Sequence, residues 1–269
     1  MAGNYLASAA EAVLRAGAIQ KARYGTAFAV QHKGAIDLVT EVDRACEEEI
    51  LGLLGGRFPD HDVVTEERVL EKKGSSHVWY VDPLDGTTNF AHGYPFFCAS
   101  VGLVVDGVRV AGAVYDALRD ELFTGERGVG AFLNGRRLGV SGARELIDGL
   151  LVTGFPYDLH TDLENRLRLF VRFARKARGL RRDGAAALDL CYVAAGRFDA
   201  FFEERLQSWD MMAGSLFVEE ASGRVSRFDG SPLDLRGDEV VASNGHLHDA
   251  MLLVLKEDRE SLPPSPRRG

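Results

Sequence analysis

The 269-residue chain carries a net charge of −8, with a pI near 5.4. It therefore lacks the basic footprint expected of a broad nucleic-acid or anionic-membrane surface. Hydrophobic residues at 46% against 27% charged supply a sizeable core, enough for one large domain or two closely packed halves.

In chain order, residues 4–24 place Leu6, Ala10, Val13, Leu14 and Ala18 at helical spacing, ending near Gly25. Glu11 and Arg15 interrupt the apolar run, which reads as an amphipathic helix rather than a signal peptide. Residues 26–40 read as two short strands joined by a Lys33-Gly34 turn. A second helix follows with Val42, Cys46, Ile50, Leu53 and Leu54 inward; the Glu47-Glu48-Glu49 run reads as a mostly outward, solvated face. Pro59 leads into a strand ending at Glu66 and Glu67, and "HVWYV" (77–81) is another strand. A meander then runs from "FFCASVGLVV" (96–105) through an Asp106-Gly107 turn to an Asn134-Gly135 hairpin.

Near residue 145 the texture changes to alternating strand and helix patterns. The expected organisation is an α+β half over 1–144, an α/β half over 145–256 and a disordered, proline-rich tail over 257–269. Cys46, Cys98 and Cys191 are isolated and odd in number, which suits buried thiols in a reducing compartment. With no apolar stretch near the roughly 18 residues of a membrane span, a cytoplasmic protein with no membrane association is expected. His246 and His248 read as surface residues, "RKARGLRR" (175–182) as a solvated basic face or dimer contact, and Gly128-Val129-Gly130 as a hairpin fragment rather than a nucleotide loop.

The chemistry-bearing stretch is "WYVDPLDGTTNF" (79–90). Asp82 emerges from a buried strand, Pro83 stiffens the turn, Asp85 returns a carboxylate to the same neighbourhood, and Gly86-Thr87 opens a helix. A helix N-terminus suits phosphate, yet adjacent carboxylates repel it unless cations lie between. Oxygen-only donors select hard ions such as Mg²⁺, so the stretch points to a metal-bridged phosphate site. A capped surface turn is the plain alternative. An aspartate-nucleophile phosphatase is the chemical rival, but its Asp-x-Asp spacing differs from Asp-x-x-Asp here.

Together with "DLVTEVD" (37–43), "VVTEE" (63–67), "RRDGAAALDLCYVAAGRFDAFFE" (181–203) and "SWDMMAGSLFVEEASG" (208–223), this stretch resembles the inositol monophosphatase family from about residue 5 to 255. The resemblance implies an α/β (α+β) fold: a layered α-β-α-β-α sandwich of the inositol monophosphatase/fructose bisphosphatase type. It implies a Mg²⁺-dependent phosphomonoesterase, commonly a lithium-sensitive homodimer, with two or three ions per subunit. Glu66, Asp82 and the Leu84 carbonyl would hold one ion; Asp82, Asp85 and Asp210 a second; a third would share Glu66. Gly86 and Thr87 would bind phosphate, and Thr87 with Asp43 and Glu66 would activate the attacking water. Asp85, Gly184, Ala185, Ala186, Glu203 and Asp210 would meet the substrate, and Lys33 would sit on a mobile hairpin over the site. Asp183 would face the substrate or cap the helix starting at Gly184.

The implied substrate is a small phosphorylated polyol, myo-inositol 1-phosphate first. Fructose 1,6-bisphosphate, 3′-phosphoadenosine 5′-phosphate and histidinol phosphate are same-superfamily alternatives. A regulatory binding protein, with a transcription partner, is an alternative of another class. Thr65 in place of the family's glycine, Met212 in place of a small residue and "ERLQSWD" (204–210) depart from the pattern, all expected at the site's rim.

Overall fold

The computed structural model describes residues 4–32, 38–156 and 162–260. Its core is five layers deep. Helices α1 (Tyr5–Arg23) and α2 (Glu41–Arg57) cover one face of a seven-stranded sheet of β3 (Asp62–Thr65), β4 (His77–Asp85), β5 (Cys98–Val105), β6 (Val108–Asp116), β7 (Glu121–Glu126), β8 (Gly130–Leu133) and β9 (Arg136–Arg137), adjacent in that order. β3 and β4 run parallel and every later pair is antiparallel. A two-stranded ribbon, β1 (Val30–His32) with β2 (Leu38–Thr40), precedes α2, and α3 (Thr87–Ala91) follows β4.

The second sheet is ordered β11-β10-β12-β14-β13, from β10 (Leu150–Thr153), β11 (Gly179–Arg181), β12 (Ala200–Gln207), β13 (Arg224–Ser226) and β14 (Gly237–Ser243). Helices α5 (Ala186–Ala194) and α6 (Ser208–Glu220) fill the space between the sheets, while α4 (Leu163–Ala174) and α7 (His248–Glu260) cover the far face. The layered α-β-α-β-α sandwich expected from the resemblance is thus the fold.

Burial on both faces explains the unbroken apolar run of β5. Ala99, Val101 and Leu103 pack towards α1 and α2, while Cys98 and Val104 join the core between the sheets. Gly102 on that inner face lets α6 approach, since a Cβ there would stand 3.0 Å from the Ala213 nitrogen. Met212 is buried against the same glycine, so it belongs to the interior and not to the rim.

Several expectations change. On α1 the fully buried stripe is Ala9, Ala12, Val13, Ala16 and Gln20, with Leu14 turned outward; the helix lies so close to the sheet that a Cβ at Gly17 would fall 2.3 Å from the Tyr115 ring. On α2 the inward set is as expected, except that Asp43 and Glu47 join it, both fully buried. Residues 257–260 belong to α7 rather than to a tail, and 261–269 lie outside the described residues, as does the Lys33-Gly34 turn. Cys46, Cys98 and Cys191 are free and buried. No helix among the described residues is long and apolar enough to cross a membrane.

His246 is exposed, but His248 is fully buried. Ser226 donates to the Arg227 carbonyl at 2.7 Å, so its oxygen receives the proton of His248 Nε2 at 2.9 Å. Ser243 accepts from the Gly245 amide and donates to Nδ1 at 3.0 Å, which completes a neutral ring. Burial, reinforced by Arg224, lowers its pKa to about 4. The unfolded chain therefore binds a proton that the fold rejects between the ordinary value of about 6.5 and 4. This stability is complete above 6.5 and is lost as pH falls. Urea unfolding at stepped pH is expected to show a slope of up to about 1.4 kcal/mol per pH unit in this window, beyond that of His248→Asn.

Candidate active site

Asp82 and Asp85 are three residues apart, which in a regular strand would send them to opposite faces. The pairing of β4 with β5 shows why they do not diverge. Asp82 lies opposite Ser100 and Asp85 opposite Cys98, so three steps on β4 span two on β5. This one-residue bulge at Pro83-Leu84 returns Asp85 to the side of Asp82. Proline suits the position because a bulge forgoes a ladder hydrogen bond, and the freed Pro83 carbonyl accepts from Gln20 Nε2 of α1 at 2.9 Å.

Each carboxylate is anchored from a different element. Asp82 accepts from the Leu84 amide at 3.0 Å. Asp85 accepts from the Ala187 amide at the start of α5 at 2.7 Å, joining β4 to the helix's positive end. Asp210, in the first turn of α6, accepts from the Gln207 amide at 2.7 Å. Glu66 follows β3 directly, and all four acids line one cleft of about 650 Å³.

The chain turns left-handed at Gly86 (φ +90°), where a Cβ would meet the Phe96 carbonyl at 2.9 Å. Only glycine fits, and α3 begins at the next residue. Thr87 Oγ1 stands 2.8 Å from Asp43 Oδ1 and 3.0 Å from the Leu84 carbonyl oxygen, so its single proton has two acceptors. Asp43 Oδ2 meanwhile caps α2 through the Thr40 amide and hydroxyl.

The electrostatics are one-sided. Burial pushes Asp82 well above the ordinary carboxylate range, and the charges of Glu66, Asp85 and Asp210 add to this. Burial raises Asp85 to about 7 against the Ala187 amide, and raises Asp210 to about 8 with help from Asp85. Such a cluster persists as anions only with cations among its oxygens. Among the described residues, no three such side chains form a ready-made coordination shell. An all-oxygen donor set on an open cleft nonetheless fits a hard divalent ion, which keeps waters and shares phosphate oxygens.

The same cleft is lined by Gly184, Ala185 and Ala186, next to the Ala187 amide that binds Asp85, and by Glu203. Glu203 is raised to about 8, by burial first and Asp210 second, with Arg182 opposing. Its carboxylate lies over Gly154 so closely that a Cβ there would fall 2.1 Å from Oε1. Asp183 does not line the cleft. Nor does it cap α5, whose N-cap is Ala185; its carbonyl receives Asn89 Nδ2 at 2.8 Å. Lys33 lies outside the described residues.

Of the three departures, only "ERLQSWD" stands on the rim. A second one-residue bulge, between Glu203 and Leu206, holds Arg205 at φ +63°. That left-handed backbone is strained for arginine. Residues that sequence reading missed include Gln20, Asn89, Gly154, Arg182 and Arg205. Only the glycine of "TGFP" at a strand end offered a signal.

An acid-lined cleft with a helix start at Gly86–Thr87 on its wall suits a phosphoryl-hydrolase class of site. The chain belongs to the inositol monophosphatase family, whose model matches residues 3–260. It is 44% identical to the inositol-1-monophosphatase of Synechocystis sp., over 94% of this chain and 88% of the relative. It is 46% identical to the Nus factor SuhB of Pseudomonas aeruginosa, over 90% of each. The inositol monophosphatase structure from Anabaena superposes with a TM-score of 0.86 at 39% identity, covering 97% of both chains. The protein is accordingly a hydrolase of the phosphatase type, in a family that is generally metal-dependent.

Gly154→Ala tests the seating of Glu203. The new methyl displaces the Glu203 carboxylate, and KM is expected to rise roughly tenfold, the equivalent of about one lost hydrogen bond. Steady-state kinetics beside the melting temperature would separate this from unfolding.

Proposed function

We propose that the protein is a Mg²⁺-dependent phosphomonoesterase of small phosphorylated polyols, with myo-inositol 1-phosphate the leading substrate. The observation that carries this reading is the convergence of Glu66, Asp82, Asp85 and Asp210 beside the Thr87–Asp43 pair in one cleft. Glu66, Asp82, Asp85, Asp210 and the Leu84 carbonyl are the groups that would hold the ions. Bound Mg²⁺ would supply charge neutralisation and make water more acidic.

The chain's own residues do the rest. Thr87, its proton directed to Asp43, turns oxygen lone pairs to an attacking water and aligns it on phosphorus. As the water oxygen bonds to phosphorus it gives up one proton, through Thr87 to the Asp43 carboxylate; the ester P–O bond breaks, the alcohol oxygen takes a proton from solvent water, and inorganic phosphate is left. The amides of Gly86 and Thr87 border the phosphate position. Glu203, backed by Gly154, and the 184–186 turn offer fixed acceptors and donors to sugar-like hydroxyls, which supports a polyol leaving group.

The likeness to a protein named Nus factor SuhB supports a second reading, a partner-binding role in transcription alongside catalysis. A pull-down that retains its partner with Asp85→Asn, while phosphatase activity is lost, would establish it as separate.

Phosphate release is to be measured with and without Mg²⁺ on inositol 1-phosphate, fructose 1,6-bisphosphate, 3′-phosphoadenosine 5′-phosphate and histidinol phosphate. The expected outcome is Mg²⁺-dependent turnover with the highest kcat/KM on inositol 1-phosphate, and a loss of at least roughly 100-fold in Asp85→Asn. Folded wild-type protein inert on all four would overturn the reading.

A further inference from the structure

We propose that Glu47 is a positioning residue for the acid cluster: from the buried face of α2 it holds the turn that carries Glu66. Its carboxylate is fully buried, although it lies in a run that reads as solvated. Thr65 Oγ1 donates to Glu47 Oε1 at 2.8 Å, and Arg68 Nε stands 2.7 Å from Oε2. Residues 65 and 68 bracket Glu66 and Glu67, so the two oxygens of one side chain grip both ends of the turn.

Glu47 also lies one helical turn beyond Asp43, on the same face of α2. Asp43 holds Thr87 beside the phosphate entrance, and Glu47 holds the segment that delivers Glu66. A single rigid helix thereby sets the separation between two chain segments that meet in the cleft and are distant in sequence. Burying a carboxylate costs several kcal/mol unless partners compensate. A clamp on a functional turn accounts for this acid in a way that packing alone does not. It also explains Thr65, where the family resemblance leads one to expect glycine: its hydroxyl is the handle that Glu47 grips.

The inference rests on the acid cluster being a Mg²⁺ site, and the experiment separates the two. Mg²⁺ binding is followed by titration calorimetry, and amide hydrogen exchange of residues 62–68 by mass spectrometry. The proteins are wild type, Glu47→Gln, Thr65→Val, Thr65→Ser and the exposed-neighbour control Glu48→Gln. Glu47→Gln and Thr65→Val are expected to weaken Mg²⁺ binding by roughly 10-fold or more and to speed exchange in 62–68, with α6 unchanged. Thr65→Ser keeps the hydroxyl and restores both readouts, and Glu48→Gln alters neither.

Should Glu47→Gln fail to fold, Thr65→Val decides, since it removes one hydroxyl at constant shape. Mg²⁺ affinity within twofold of wild type in the folded variants, or unchanged exchange in 62–68, overturns the proposal. Wild-type protein that binds no Mg²⁺ overturns the functional reading instead, and the exchange data then judge the clamp alone.

Discussion

The extra residue at Pro83-Leu84 is the constraint on which the site depends. Without it, strand geometry would send Asp82 and Asp85 to opposite faces, one towards α1 and α2 and the other towards the layer between the sheets. With it, both partners, Ser100 and Cys98, are on the inner side, and both carboxylates reach the place where α5 and α6 begin. The bulge needs outside support because it gives up ladder bonds. Gln20 supplies it at the Pro83 carbonyl and the Ala187 amide supplies it at Asp85. The end of β4 and the start of α5 are therefore joined through the same carboxylate that faces the cleft.

Concentrating acids in a buried cleft works against folding, because each raises the others' affinity for protons. The scaffold offsets this with directed donors more than with counter-charges. Backbone amides meet Asp82, Asp85 and Asp210, while Thr40 and Thr87 meet Asp43. Amides and hydroxyls orient a carboxylate without neutralising it, so its charge stays available to a cation. Had arginines been placed there, the fold would gain stability and the acids would lose their capacity to bind metal.

Much of this was legible in the residues, and what was not has identifiable causes. Asp82, Asp85, Glu66, Asp210, Thr87 and Glu203 stand out because their chemistry is local to short motifs at strand and helix ends. Glu47 and His248 were misread because charge and polarity imply solvent only when no partner is available. The partners of Glu47, Thr65 and Arg68, are some twenty residues away in sequence, and Ser226 is 22 residues from His248. Register is equally hidden. Nothing in "FFEERLQ" announces that Arg205 turns left-handed, because glycine, asparagine and aspartate are the usual signs of such a backbone.

The two bulges divide the site's work. The one in β4 arranges acids whose spacing must match a phosphate and its ions, and it is locked by glycine, proline and buried donors that tolerate little change. The one in β12 leads directly into α6 and sets Glu203, Arg205 and Trp209 along the cleft, where the proposed function would seat the alcohol. Here the backbone is held in strain by a long, exposed side chain instead of being relieved by glycine. On that reading, substitutions along 204–206 would alter which alcohol is accepted while Asp210 stays fixed by its bond to the Gln207 amide. On the proposed reading, reaction class and substrate choice would be carried by separate irregularities in separate sheets.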